Sequence, residues 1–346
     1  MSDYLKELTE AVGVSGSEKE VRLLIRDLVA KVCDELHVDP MGNLIAFLAG
    51  SGASPMRILI DAHMDEVGLI VTSIDSNGLL RFETVGGIDN RTLLGLVVEV
   101  GPKKITGVIG ARPIHLLTAS QRDSVVKRDA MRIDIGAKNK SGAAKKVQVG
   151  DAVSFIGPYR ESGSVAVAKA MDNRAGCAAL IEILKDGPYP FDLYACFSVQ
   201  EEVGLRGAQV AAYAVRPDAA LVLECTPAYD LPNEEDRSPN VRLGNGPAVY
   251  VMDRGTIQDP RLVSHIMSVA GANKIPFQVR QPGGGGTNTA AIQAVHGGVP
   301  SATLALPGRY AHTPNMVIDL NDFENLVALA KAALTSLSPQ SLQRGD

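Results

Sequence analysis

Between residues 17 and 35, Val21, Leu24, Ile25, Leu28 and Val32 recur three and four apart, a spacing that predicts an amphipathic helix with one core-facing side. Ser17 and Glu20 stand at its start in the pattern of a reciprocal capping box. Two strand-like runs follow, "NLIAFLAG" and "MRILIDAHMD". The second is apolar on both faces, as in a strand covered by helices on each side, and His63 stands where it ends. From about residue 70 to 163 the pattern shortens to alternating segments, "LLRFET", "LVVEVG", "MRIDIG" and "DAVSFIG", separated by turns rich in Gly, Asp and Lys. This stretch reads as an all-β insertion. From "SVAVAKAMDNRAGCAALIEIL" onward strand and helix alternate again, with strands near 191–199, 219–224, 248–252 and 299–306. A closing helix over 321–337 places Phe323, Leu326, Ala330 and Leu334 at helical spacing. The whole predicts an α/β protein interrupted by a β insertion.

Composition narrows the partners. A chain of 346 residues is long enough for a large domain with an insertion, or for two domains, each with a real core. A formal charge of −5, without a long run of Lys and Arg, leaves no electrostatic footprint for nucleic acid or an anionic membrane surface. A small soluble substrate is expected instead. Cys33, Cys177, Cys196 and Cys225 form no CxxC pair, and three of them lie in apolar segments, as reduced thiols do. The start, "MSDYLKELTE", is acidic where a secretory signal would be basic, and no apolar run reaches membrane-spanning length. A cytoplasmic protein without membrane partners is the expectation.

Candidate chemistry gathers where the α/β strands end, the place at which open α/β sheets build their sites. The stretch "FSVQEEVGLRGA" puts Glu201 and Glu202 side by side after an apolar run. Neighbouring side chains on an extended strand point to opposite faces, so two can share a site only where the strand is ending. A solvated turn would also account for them. His63 in "DAHMDEVG", Asp172 in "AMDNRAG", Glu224 in "LVLECTPA" and His312 in "GRYAHTP" complete a mixed nitrogen and oxygen set suited to zinc, cobalt or manganese. Asp65, two residues past His63, is placed to accept the second ring N–H and fix the tautomer. Asp172 has a competing role as a helix N-cap. Glu224 ends the apolar run "AALVLE", where a carboxylate requires a partner.

The motifs "SGSE", "DAHMDEVG", "KAMDNRAGC", "VQEEVGLRGA", "LGNGPAV", "IPFQV", "GGGGTN" and "GVPSATLALPGRYAHTP", in that order, resemble metallopeptidase family forty-two. These are the dinuclear tetrahedral, glutamyl or deblocking aminopeptidases, some labelled endoglucanase. The resemblance covers almost the whole chain. It implies a mixed-sheet α/β/α metallopeptidase catalytic domain over 1–69 and 164–346, with a small β-barrel over 70–163 serving dimerisation. It implies two divalent ions per subunit, bridged by Asp172, with His63 and Glu224 completing one sphere and Glu202 and His312 the other. Glu201 is then left as general base. Short peptides are the implied substrates, and a homododecamer of dimers enclosing an internal chamber is the implied assembly.

In two places the chain departs from the family, which often has Asp where Glu224 and Asn288 stand. Glutamate still supplies oxygen but reaches one methylene further. Asn288 removes a charge, and its amide is suited to reading polar groups of a substrate. A glycosidase is the first rival, and it fits poorly: its two carboxylates need no histidines, and a chain with no Trp and 4% aromatic residues has few platforms for sugars. A second rival is a metal-dependent deacylase of amino sugars or acyl amino acids on the same centre. A binding protein with a relic site is a third, although no ligand or base is missing. His37, His115, His265 and His296 match no motif and are read as structural, with His115 in the insertion placed to approach a neighbouring subunit.

Overall fold

The computed structural model describes residues 2–230, 241–283 and 285–344, so Gly284 of the "GGGGTN" run lies outside the described residues. An eleven-stranded mixed sheet forms the centre. Its middle is four parallel strands in the order Asp192–Ser198, Arg57–His63, Ala219–Pro227 and Ser301–Arg309. Antiparallel strands extend it on both sides, Leu44–Leu48 and Glu35–Val38 on one, Met316–Asp319, Val165–Ala168 and Arg160–Ser162 on the other.

Helices cover both faces because the central strands are apolar on both. Along Arg57–His63, Ile58, Ile60 and Ala62 enter one core while Leu59 enters the other. Along Ala219–Pro227, Ala219, Leu221 and Leu223 join the first core and Ala220 and Val222 the second. The first core is roofed by helices Lys19–Val29, Met171–Lys185, Pro260–Asn273 and Leu320–Ser336, the second by Arg206–Val215 and Thr289–Gln293. The α/β/α layering expected from the two-faced strands is the layering found.

Six antiparallel strands between Gly68 and Phe155 close into a separate barrel. Leu69, Val71, Leu80, Phe82, Val98, Val100, Ile133 and Val153 fill it, one residue in two along each strand. The barrel starts five residues after His63, so its first strand leaves directly from the end of a central sheet strand.

The capping box expected at Ser17 and Glu20 is not formed. The helix begins at Lys19 with Glu18 at the cap position and no side-chain cap bond. Glu20 instead accepts the Val12 N–H at 3.1 Å and Lys104 Nζ at 2.8 Å, so contacts to the preceding loop and the barrel displace the local motif. Among the described residues, no helix is long and apolar enough to cross a membrane.

Candidate metal centre

His63 and Glu224 stand at or near the carboxyl ends of adjacent parallel strands, which brings them together without any loop. His63 Nε2 lies 3.2 Å from Asp172 Oδ1 and 3.5 Å from Glu224 Oε1. On the other side His312 Nε2 lies 3.5 Å from Asp172 Oδ2 and 3.3 Å from Glu202 Oε1. Asp172 therefore gives one oxygen to each imidazole. Donor atoms of His63, Asp172 and Glu224 fall within 4.8 Å of one another, as do those of Asp172, Glu202 and His312, and those of His63, Glu201 and Glu202.

Asp172 is not a helix cap. Ala170, at φ 53°, precedes the helix and makes no side-chain cap bond, while Asp172 and Asn173 have non-helical backbone angles inside its first turn. That break turns the Asp172 carboxylate towards the two histidines. Left-handed backbone recurs around the site: Ala170, Gln200, Tyr310 and His312 all have φ between 53° and 61°. Such conformations cost about 1–3 kcal/mol each and persist where surrounding contacts enforce them.

Glu201 and Glu202 reach one site because their strand has ended: it stops at Ser198, and Gln200 is left-handed. The turn is then clamped by Asp65, whose Oδ1 accepts the Glu201 N–H at 3.0 Å and whose Oδ2 accepts the Glu202 N–H at 3.2 Å. Ser15 Oγ donates to the same carboxylate at 2.6 Å. Asp65 meets the His63 ring as well: Nδ1 of His63 is 3.1 Å from the Asp65 backbone carbonyl and 3.4 Å from its carboxylate, so one residue both orients the imidazole and holds the glutamate turn.

His312 is fixed from the barrel. Its Nδ1 lies 2.6 Å from the carbonyl oxygen of Gly87, leaving Nε2 to face Glu202 and Asp172. A side chain at the preceding Gly86, φ 85°, would meet Val67 at 2.8 Å and Glu202 at 3.3 Å. This close glycine turn carries no signal beyond "GG" in the sequence. Glu66 of "DAHMDEVG" and Lys169 of "KAMDNRAGC", neither of them a candidate site residue from the sequence, are buried together beneath the site. Lys169 Nζ donates to both Glu66 oxygens at 2.8 Å, and Glu66 also accepts from Gly13 N–H at 2.9 Å and from Ser154 Oγ of the barrel at 3.3 Å.

The electrostatics call for cations. Burial pushes the Glu201 carboxyl well above its usual range, Glu202 up to about 8 and Glu224 up to about 7. Burial opposes charge on the histidines as well, yet Glu224, Asp172 and Asp65 raise His63 well above its usual range, and Asp172 and Glu202 raise His312 to about 9. Asp172 itself is lowered despite its burial, by His312 and His63. Four mostly buried carboxylates thus converge on two imidazoles, a donor set that a divalent cation satisfies and that two histidines alone leave under-neutralised.

Asn288 does not face a substrate. It is fully buried and donates to Asp61 Oδ2 at 2.7 Å and to Ser198 Oγ at 3.0 Å, so its amide ties together the strands that deliver His63 and the glutamate pair. The other histidines lie away from the centre: His265 meets the Ala333 carbonyl, His296 stacks on Tyr213, and His37 and His115 are exposed.

The profile of the M42 glutamyl aminopeptidases matches residues 42–329. The lysyl aminopeptidase of Pyrococcus furiosus is 34% identical over 97% of this chain and 97% of its own. A TET aminopeptidase from a marine sediment Thaumarchaeota archaeon superposes with a TM-score of 0.94 at 35% identity, over 98% of this chain and 97% of its own. The Pyrococcus horikoshii TET1 peptidase, described as assembling into a tetrahedron or a large octahedral shell, superposes with a TM-score of 0.87 at 35% identity, over 97% and 99%. The chain belongs to the M42 glutamyl aminopeptidase family and is a metal-dependent aminopeptidase.

Proposed function

We propose that this aminopeptidase removes residues from the N-terminus of short peptides with Glu201 as general base. Two divalent cations, zinc or cobalt with manganese as a third choice, would be held by His63, Asp172 and Glu224 on one side and by Asp172, Glu202 and His312 on the other. The observation that carries this reading is the division of labour at the glutamate pair. Glu202 contacts His312, whereas the Glu201 carboxylate has no hydrogen-bond partner among the described residues. A carboxylate without such a contact, buried to 9% exposure and within 4.8 Å of the His63 and Glu202 donor atoms, is placed to hold a proton.

Two cations bound there would polarise a peptide carbonyl and bring the pKa of a water towards neutrality. Glu201 takes the proton from the attacking water at a carboxylate oxygen and returns it to the leaving amine. Asp65 keeps Glu201 in reach by holding its backbone N–H. The free α-amino group of the substrate is drawn by the excess of carboxylates, which restricts cleavage to the first residue. An N-acylated substrate lacks that group, which separates this reading from the deacylase.

The family neighbour described as assembling into shells supports a closed homo-oligomer, a homododecamer built from dimers, with the barrel as dimerisation domain. Exposed apolar residues of that region support the same contact: Val97, Val108, Ile114, Leu116, Val125 and Ile156. The proposed setting is the cytoplasm.

Kinetics beside metal counting tests the roles. Glu201→Gln keeps its metal and loses about 10²–10⁴-fold in aminoacyl-nitroanilide hydrolysis. Glu202→Gln loses metal as well. Equal metal loss in both variants would show the roles to be wrongly assigned.

A further inference from the structure

Asn173, the residue after the shared aspartate, is fully buried. Its Nδ2 donates to the Leu223 carbonyl at 2.8 Å and to Glu224 Oε2 at 2.6 Å. Its Oδ1 accepts the Gly176 N–H at 3.0 Å. Two acceptors on one side and a donor on the other leave the amide one orientation. The fit is close: a Cβ at Gly176 would sit 2.2 Å from Asn173 Oδ1. The remaining Glu224 oxygen, Oε1, faces His63 Nε2 at 3.5 Å and belongs to the candidate ligand cluster.

We infer that Asn173 is a positioning residue for the cation held by His63, Asp172 and Glu224: it occupies Glu224 Oε2 and leaves Oε1 as the single oxygen that Glu224 offers. The inference rests on the reading of Glu224 as a ligand. A carboxylate with two free oxygens can bind a cation through one or both, and larger, oxygen-preferring ions use both more readily. The amide removes that choice. The length of the glutamate side chain is what brings its second oxygen to Nδ2. Aspartate at 173 would set a carboxylate against the Leu223 carbonyl and the Glu224 carboxylate, so residues 173 and 224 act as a matched pair.

The test is zinc binding, read without turnover. Metal-stripped wild type, Asn173→Asp, Asn173→Ala, Glu224→Asp and the Asn173→Ala/Glu224→Asp double variant are titrated with zinc by calorimetry. Melting of the metal-free proteins reports folding, and Asn173→Asp, which keeps the side-chain shape, stands in if Asn173→Ala does not fold. One zinc of the wild-type complement is expected to bind about 10–100-fold more weakly in both Asn173 variants, with the other unaffected. In the Glu224→Asp background, where the carboxylate has withdrawn from the amide, Asn173→Ala should add less than about 3-fold. Wild-type affinity in both Asn173 variants, or the same loss in both backgrounds, would overturn the inference while leaving the metal centre standing. A wild type that takes up no zinc would overturn the ligand reading of Glu224 and this inference with it.

Discussion

The two halves of the candidate centre share Asp172 and differ in nearly everything else. His63 and Glu224 come from neighbouring parallel strands of the central sheet and are buried, His63 to 1% exposure. Glu202 comes from a turn after its strand, and His312 from a loop with a left-handed backbone; the His312 side chain is 36% exposed and is held by a barrel carbonyl. The inner half is made by sheet register, which a point change cannot easily shift. The outer half is assembled from loops and a neighbouring body, and its geometry depends on contacts that lie outside the sheet.

The largest expected effect joins the two halves. Lys169 and Glu66 are buried at the seam where the end of the His63 strand, the approach to Asp172 and Ser154 of the barrel meet. Lys169→Met removes the nearer of two buried cations beside Glu66, Arg174 Nη2 lying 3.5 Å from the same carboxylate, and should cost about 3–5 kcal/mol in denaturant unfolding. A loss below about 1 kcal/mol would mean that Arg174 alone neutralises Glu66. Next in size is the direct contrast between the histidines. In metal-free protein His63→Ala should cost about 2–5 kcal/mol, as for other fully buried side chains, and His312→Ala less than about 1 kcal/mol. Equal costs would erase the distinction between the halves.

A smaller effect sharpens the inner half. Asn288→Asp replaces an amide donor with an acceptor 2.7 Å from Asp61 Oδ2, and the lost bond should cost about 1–3 kcal/mol of stability by chemical denaturation. No change would place the strand-tying role elsewhere. The smallest prediction concerns the outer half. Arg309, three residues before His312, holds Asp230 through two contacts of 2.7 Å and keeps its carboxyl below the usual range. The contribution of Asp230 is therefore complete above the ordinary carboxylate pKa of about 4 and is lost as the pH falls through its lower folded value. Asp230→Asn should flatten the acid end of the melting-temperature profile, and a profile of unchanged slope would break the link.

The inner half was legible in the sequence because strand ends are legible: an apolar run that stops at His63 or Glu224 places the side chain as well as naming it. Asp172, Glu202 and His312 were found as residues, but their approach to one another was supplied by the family resemblance rather than by spacing. What stayed hidden depends on tertiary contact. Gly87 acts through a carbonyl that every residue has, and Glu66 and Lys169, although they stand inside "DAHMDEVG" and "KAMDNRAGC", give no sign of their pairing until the barrel and the N-terminal segment close over them. Glu20 shows the opposite failure, a good local capping signal overruled by Lys104 and Val12. Asn288 was misread because an amide near a site suggests recognition, whereas here it serves a buried carboxylate.

The bond from Gly87 to His312 sets a limit on modularity. The barrel looks like a cassette that could be trimmed away or exchanged between relatives, since it closes on itself and has its own core. Yet one of its backbone oxygens is part of the machinery that orients a histidine of the other body. A graft would have to carry the Gly86–Gly87 turn in register with His312, so the functional cut of this chain does not follow its visible architectural one.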